Sequence, residues 1–272
     1  MSDELRAVLS ARMLGSLVVT LNDSVVDTSS SRRTRHILAY LLLHRRVAVP
    51  RDVLMDTFWP TASPDAARNN LHVALSGVRQ ALRVASPVNV LQRRHDTYLL
   101  ACEDRTWVDV EEFARHCADG RRADRAGDDA AAIRDYAAAD RLYDGDLLAD
   151  DPYADWVLRE REELRLEVLH AQRRLAELCA AAGDPTGAVL VARRALGIDP
   201  YDEGVHRQLM LAYRDVGQLH LALAQYQRCA DLLWHAFRVR PSPQTVHLNE
   251  QLRRHQLPVV AAPRGFADGD VV

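Results

Sequence analysis

The stretch from Ser63 to Ala85 carries a stripe of side chains suited to reading the edges of nucleic-acid bases. Asn69, His72, Ser76, Arg79 and Arg83 recur at three and four residues, and the stripe contains no carboxylate. Asparagine can hold an adenine edge through two hydrogen bonds, and arginine can hold guanine in the same way. A second cluster, Arg93-Arg94-His95-Asp96, lies between two short apolar runs. Arginine at such a hairpin tip suits the narrow, electronegative minor groove. Adjacent strand residues point to opposite sides, so one minor-groove contact and one phosphate contact are expected there. A third cluster, Arg32, Arg33 and Arg35, precedes or begins a helix. The macrodipole disfavours cations at that end, and the misfit points to phosphate contacts. Arg45 and Arg46 end the same helix, where cations are favoured without any ligand.

These side chains need elements to position them. Leu17-Val18-Val19-Thr20-Leu21 reads as a strand, Asn22-Asp23 as a turn, and Val25-Val26 as the return. Ile37, Leu38, Tyr40, Leu41 and Leu42 then fall at helical spacing. Pro50 opens a second short helix with Val53, Leu54, Thr57 and Phe58 on one face, and Trp59-Pro60 stops it. The third helix starts at an N-cap, Ser63, followed by Pro64 and Asp65. Its inner stripe is Leu71, Ala74, Leu75, Val78, Leu82 and Ala85, and Pro87 ends it. Val88-Asn89-Val90-Leu91 and Thr97-Tyr98-Leu99-Leu100 form a hairpin around the basic tip. Strands, three helices and a basic hairpin are the order of a winged helix. In that arrangement the third helix enters the major groove and the hairpin is the wing. A polar helix face alone is ordinarily just solvated. The capped start, the missing acids and the basic hairpin together favour DNA.

The charge is uneven along the 272 residues. Residues 1–105 hold 14 arginines against 10 acids, and 106–272 hold 21 against 28. No lysine occurs. A basic first part and an acidic second part imply different partners. With 48% hydrophobic and 27% charged residues, the chain can bury a sizeable core. No apolar run is long enough to span a bilayer, and the first residues lack a secretory layout, so the cytoplasm is the expected location, in association with the nucleoid. Cys102, Cys117, Cys179 and Cys229 are widely spread and read as reduced, mostly buried thiols.

From about Trp107 to Leu252 the chain is alanine-rich and helical in pattern. Gly183 and Gly217 are 34 residues apart. Ala188, Ala195 and Pro200 follow the first, and Ala222 and Tyr226 the second. Gly127 is followed by Ala132, Tyr136 and Ala139 at matching offsets. This is a degenerate tetratricopeptide pattern, with Cys229 in place of a small residue and Trp234 in place of proline. About 22 extra residues separate the first two units and hold Asp144, Asp146, Asp150, Asp151, Asp155 and Trp156. The aspartates lack the alternation of a calcium loop and read as an acidic loop and helix start. Nucleophile, phosphate-cradle and zinc signatures are missing. No catalytic residue, metal site or cofactor is therefore assigned, and the chain is not expected to be an enzyme.

The stretch Trp59-Pro60-Thr61-Ala62-Ser63-Pro64-Asp65-Ala66-Ala67-Arg68-Asn69-Asn70-Leu71-His72-Val73-Ala74-Leu75-Ser76 resembles the DNA-binding region of the Streptomyces antibiotic regulatory proteins. The stretch from Leu147 to Arg161, containing Asp150-Asp151-Pro152-Tyr153-Ala154-Asp155-Trp156, resembles the start of the long helix in their bacterial transcriptional activation domain. The likeness covers about residues 11–252. It implies a mainly α fold with a small antiparallel β component. The expected parts are an OmpR-like winged helix over 1–105, a tetratricopeptide-like activation domain over 106–255 and a flexible tail over 256–272. The chain resembles the small type, without the ATPase, sensor or receiver regions of larger members.

The resemblance further implies an activator that binds direct repeats near a promoter's -35 element. Such a protein recruits RNA polymerase holoenzyme, including its sigma factor, and switches on secondary-metabolite genes. Two protomers would sit side by side about one helical turn apart. Asn69, Asn70, His72, Val73, Ser76 and Arg79 are the major-groove candidates. Arg32, Arg33, Arg35, Arg68 and Arg83 are the phosphate candidates, and Arg93, Arg94 and His95 belong to the wing. Other readings stay open at this point: a regulator, possibly a repressor, that responds to a ligand or a protein, and a helical scaffold whose winged helix binds protein.

Overall fold

The computed structural model describes residues 8–29, 31–85, 89–101 and 106–254. The chain forms two compact units, Met1–Ala171 and Gln172–Val272. They divide inside a helix, not at residue 105 where the composition changes. The expected tail over 256–272, Pro87, Val88 and Cys102 lie outside the described residues.

The first unit opens with β1 (Leu9–Arg12), β2 (Val18–Leu21) and β3 (Ser24–Val25). Asn22 and Asp23 turn the chain between β2 and β3 with φ of 51° and 64°. Asparagine and aspartate tolerate this left-handed region better than other side chains. Then follow α1 (Arg32–Leu43), β4 (Val49–Pro50), α2 (Arg51–Phe58) and α3 (Pro64–Ala85). Strands β5 (Leu91–Arg94) and β6 (Thr97–Leu100) form the hairpin, with Arg94 opposite Thr97. Strand β4 joins them in a sheet of order β4-β6-β5. The expected first hairpin strand is shifted, since pairing begins at Leu91. Strand β7 (Thr106–Val108) runs parallel to β1 and completes a second sheet, β3-β2-β1-β7. Neither β4 nor β7 was legible as a strand, being only two and three residues long.

One apolar core binds these parts. Ile37, Leu38, Leu41 and Leu42 of α1 meet Leu54 and Phe58 of α2 and Leu71, Leu75, Val78 and Leu82 of α3. Each fully buried aliphatic side chain contributes about 1.5–3 kcal/mol, so α3 is firmly seated. Val53, expected on the inner face of α2, is exposed. Gly77 allows α1 and α3 to approach closely, since a Cβ there would lie 2.6 Å from Thr34 Oγ1.

Helices α4 (Asp109–Arg125) and α5 (Asp129–Leu142) pack as a hairpin in the same unit. Gly127 turns it with φ of 73°, and Asp128 caps α5 by accepting from the Ala131 N–H. Ala132, Tyr136 and Ala139 are fully buried, and the Tyr136 ring lies where a side chain at Gly120 would stand. A loop leads to a single 3₁₀ turn, Asp155–Val157, and then to α6 (Leu158–Ala181). The second unit takes in the end of α6, then α7 (Pro185–Ile198), α8 (Glu203–Asp215), α9 (Leu219–Phe237) and α10 (Pro243–Arg254). Gly183 and Gly217 adopt φ of 81° and 76° at the helix turns. The small residues of the repeat, Ala188, Ala195 and Ala222, are buried, as is Cys229. Trp234 is half exposed at the position where the repeat expects proline.

Candidate nucleic-acid interface

Helix α3 is two-faced. Ser63 holds its start, with the Ser63 carbonyl accepting from the Ala67 N–H at 2.8 Å and the hydroxyl accepting from the Ala66 N–H. Ala67, Leu71, Ala74, Leu75, Val78 and Leu82 are buried. Asn69, Asn70, His72, Val73 and Ser76 are exposed, Arg79 is half-buried and Arg83 is exposed. Val73 is 71% exposed, an apolar side chain suited to a thymine methyl group. Gln80 continues the exposed face beside Ser76. It was missed because the stripe was followed through Arg79, although glutamine can read adenine as asparagine does.

An open groove of about 620 Å³ runs between α3 and the start of α1. Asn70, Val73, Ser76 and Gln80 line it on one side, and Ser31 and Arg33 on the other. The Arg33 guanidinium sits 5.7 Å from the centre of the Trp59 ring. This cation–π contact fixes a charge beside the outer face of α3. At the hairpin tip, His95 takes φ of 55° in a two-residue turn. The Arg93 Nε donates to the His95 carbonyl at 2.8 Å, while its other guanidinium nitrogen lies 3.3 Å from Asp96. Strand alternation puts Arg93 on the side of buried Leu91 and Arg94 on the opposite side. Both arginines are exposed.

The basic cluster on α1 does not face outward as a set. Arg32 holds Asp151 bidentately, Nε to Oδ2 and Nη2 to Oδ1, both at 2.6 Å. Arg35 pairs with Asp150. Buried His36 places Nε2 2.6 Å from Asp151 Oδ2. These contacts hold the Asp151 carboxyl down at about 2, with Arg32 as the main cause and burial opposing. Burial lowers the His36 pKa, against the pull of Asp151. The unfavourable charge at the start of α1 is therefore answered by carboxylates within the chain, where phosphates were expected for Arg32 and Arg35. Arg68 pairs with Asp65 at 3.0 Å on the α3 surface. At the other end of α1, Arg45 and Arg46 both reach Glu111 at the start of α4.

The acidic loop is itself anchored. Buried Arg161 donates to the carbonyls of Leu147, Leu148, Asp151 and Pro152. Trp156 packs against His36, Tyr40 and Phe58, with ring centres 5.5–5.9 Å apart. Asp146 is taken by Arg165 and by the Tyr143 hydroxyl. Near β1, the buried Asp109 Oδ2 accepts from the Met13 and Leu14 N–H groups at 2.7 and 2.8 Å. Burial pushes its carboxyl pKa up, while the N–H donors pull it down. The described cysteines, Cys117, Cys179 and Cys229, are buried and unpaired, and burial pushes Cys117 up to about 12.

The winged helix, the anchored acidic loop and the helical hairpins fix what the chain is to be compared with. The profile described as "Bacterial transcriptional activator domain" matches residues 108–253. The chain belongs to this family. It is 28% identical over 249 residues to the transcriptional regulatory protein MoaR1 of Mycobacterium tuberculosis, covering 91% of this chain and 79% of that one. It is 28% identical to the transcriptional regulatory protein EmbR of the same organism, covering 90% of this chain and 63% of EmbR. The regulatory protein AfsR of Streptomyces griseus is also 28% identical, but the match spans only 23% of it. The solved structure of M. tuberculosis EmbR with a low affinity phosphopeptide superposes with a TM-score of 0.72 at 26% identity. It covers 93% of this chain and 66% of that one. The chain is thus a transcription regulator of the Streptomyces antibiotic regulatory protein type, with the expected winged-helix and helical-repeat fold. Among the described residues, no helix is long and apolar enough to cross a membrane.

Proposed function

We propose that this regulator activates transcription by laying α3 in the major groove of promoter direct repeats near a -35 element and recruiting RNA polymerase holoenzyme. The observation that carries this reading is the outer face of α3. Asn69, Asn70, His72, Val73, Ser76 and Gln80 stand exposed beyond the Asp65–Arg68 pair of the first turn, on a helix whose other face is locked in the core. Arg79 reads a base at the edge of that face. Arg33, Arg83 and Arg68 anchor phosphates, Arg68 after leaving Asp65. Arg94 takes the minor groove, while Arg93 and His95 shape the wing and approach the backbone. Arg32 and Arg35 stay with the acidic loop in this reading. Two protomers occupy adjacent repeats, and the acidic helical repeats offer the concave surface that such folds use to hold proteins. The regulated genes are those of secondary metabolism.

Quantitative footprinting on the chain's own genomic neighbourhood, with and without holoenzyme, tests this. Paired direct repeats overlapping a -35 element, protected more strongly with polymerase, are expected. Protection that excludes polymerase would replace activation with repression. Absence of protection even at low salt, where phosphate contacts are strongest, would remove the DNA reading.

A further inference from the structure

The helical repeats of the second unit carry a cleft of about 250 Å³ between α7, α8 and α9. Leu196, Leu209 and Tyr213 give it apolar surface, Arg193 enters from α7 and Arg228 from α9. No carboxylate lines it. Other arginines of this unit are answered from within the chain: Arg173 meets Asp202, Arg174 meets Glu177 and Arg214 meets Asp215. Among the described residues, Arg193 and Arg228 have no such partner. His206, which Gln225 of the cleft holds at 2.6 Å, has its pKa lowered by burial and then by the Arg228 charge, so that charge is felt inside the cleft. Two open guanidinium forks with no acid beside them suit a carboxylate.

The cleft continues into a shallow, mostly apolar strip along the outside of α9, and Arg228 borders both. Ala224 and Leu232 supply the apolar surface of the strip, while Asp231 sets a negative charge on it. An acidic group is therefore accepted between the arginines and repelled further along, where an apolar group fits. A bare inorganic anion would leave the strip unused. Leu232 follows Arg228 by one helical turn, about 6 Å. In an extended peptide, side chains two residues apart share one face and are separated by about 6.6 Å.

We infer that this groove binds an extended acidic segment of a partner protein, in which one residue separates a glutamate or aspartate from a leucine-sized apolar side chain. The acid lies between Arg193 and Arg228, and the apolar side chain rests on Ala224 and Leu232. The groove belongs wholly to the second unit, so the inference stands apart from the DNA reading.

Nuclear magnetic resonance titration of the ¹⁵N-labelled full chain with acetyl-Ala-Leu-Ala-Glu-Ala-Leu-Ala-amide, without DNA, tests it. This probe offers the spacing in either chain direction. A saturable shift of the Gln225 side-chain amide is expected. Arg193→Gln and Arg228→Gln, both at exposed positions, should each weaken binding by about tenfold, as for a lost bond to a charged group. Gly197→Leu should abolish it, because a Cβ at this cleft-lining position meets no atom within 4 Å and the new side chain occupies the cleft without a clash. Far-ultraviolet circular dichroism confirms that the variants fold. The peptide with glutamine for glutamate should bind about tenfold more weakly, and the peptide with alanine for both leucines about fivefold more weakly, as for partial burial of one apolar side chain. No saturable shift, a shift indifferent to Gly197→Leu, or equal affinity for the glutamine peptide would overturn the assignment. So would sodium acetate or phosphate producing the same shift at the same concentrations, which would reduce the groove to a site for any anion.

Discussion

Removing one carboxylate should loosen the first unit measurably. Asp151→Ala deletes a bidentate pair with Arg32 and the contact to His36 Nε2, all at 2.6 Å. Arg32 is 61% exposed, so solvent screens its pair and it adds little. His36 is 4% exposed, and its bond to a charged acceptor is worth about 1.5–2 kcal/mol. The His36 bond therefore carries most of the loss, which stays below the ceiling of about 2.5 kcal/mol set by the depression of the Asp151 carboxyl to about 2. For a unit of this size, a loss of that order lowers the melting temperature by about 4–10 °C. Circular dichroism melts at neutral pH would measure it, with exposed Asp56→Ala as the control. A double-mutant cycle with Arg32→Ala should return a small favourable coupling. The linkage has a sign. The Asp151 carboxyl is depressed, so its contribution is present above about pH 4 and is lost as pH falls through about 2. A melt within 1 °C or so of the Asp56→Ala control, with no coupling to Arg32, would refute the claim that the loop is fastened through Asp151.

Three further outcomes are expected. Arg79→Ala should weaken operator binding by about 1–3 kcal/mol and relax preference at one base pair, whereas Arg83→Ala should weaken all sequences alike and lower the salt slope by about 1. Fluorescence anisotropy on operator and scrambled duplexes separates the two, and identical behaviour of both variants would remove Arg79 from base reading. Gly77→Ala, normally favoured in a helix by about 1 kcal/mol, should instead destabilise, because the new Cβ meets Thr34 Oγ1 at 2.6 Å. Thr34→Ala in the same chain should recover most of the loss in a denaturant melt, and additivity of the two would be the contrary result. His206 accepts from Gln225 on Nδ1 at 2.6 Å and donates from Nε2 to the Pro200 carbonyl at 3.0 Å, so only its neutral form fits. Burial lowers its pKa, so the second unit keeps this stability above about pH 6.5 and loses it as pH falls below, by up to about 1.4 kcal/mol per pH unit. Hydrogen exchange of α8 amides at pH 7 and 5, matched for intrinsic rate, should show it, and unchanged protection would count against the assigned tautomer.

Helix α3 was legible because its signals are local. Ser63, Pro64 and a regular apolar stripe specify α3 without reference to the rest of the chain. Gly127, Gly183 and Gly217 were legible for the same reason, since a left-handed turn between helices selects glycine. What escaped were pairings across long separations. Asp151 lies 119 residues from Arg32, and nothing in either neighbourhood names the other. The arginines were seen to misfit the start of α1 and were assigned to phosphates, since nothing nearby in the sequence names the distant carboxylates. Strand β7 was hidden likewise, since three residues without alternation become a strand only beside β1.

The acidic loop explains why the compact units do not divide where the composition does. Leu147, Leu148 and Val157 belong to the same apolar core as α1, α2 and α3. Glu111 and Asp109 tie the start of α4 to Arg45, Arg46 and the backbone after β1. The basic first part and the acidic stretch that follows are therefore complementary surfaces of one body. A boundary drawn at residue 105 would separate Arg32, Arg35 and Arg45 from their carboxylates and Phe58 from the Trp156 ring.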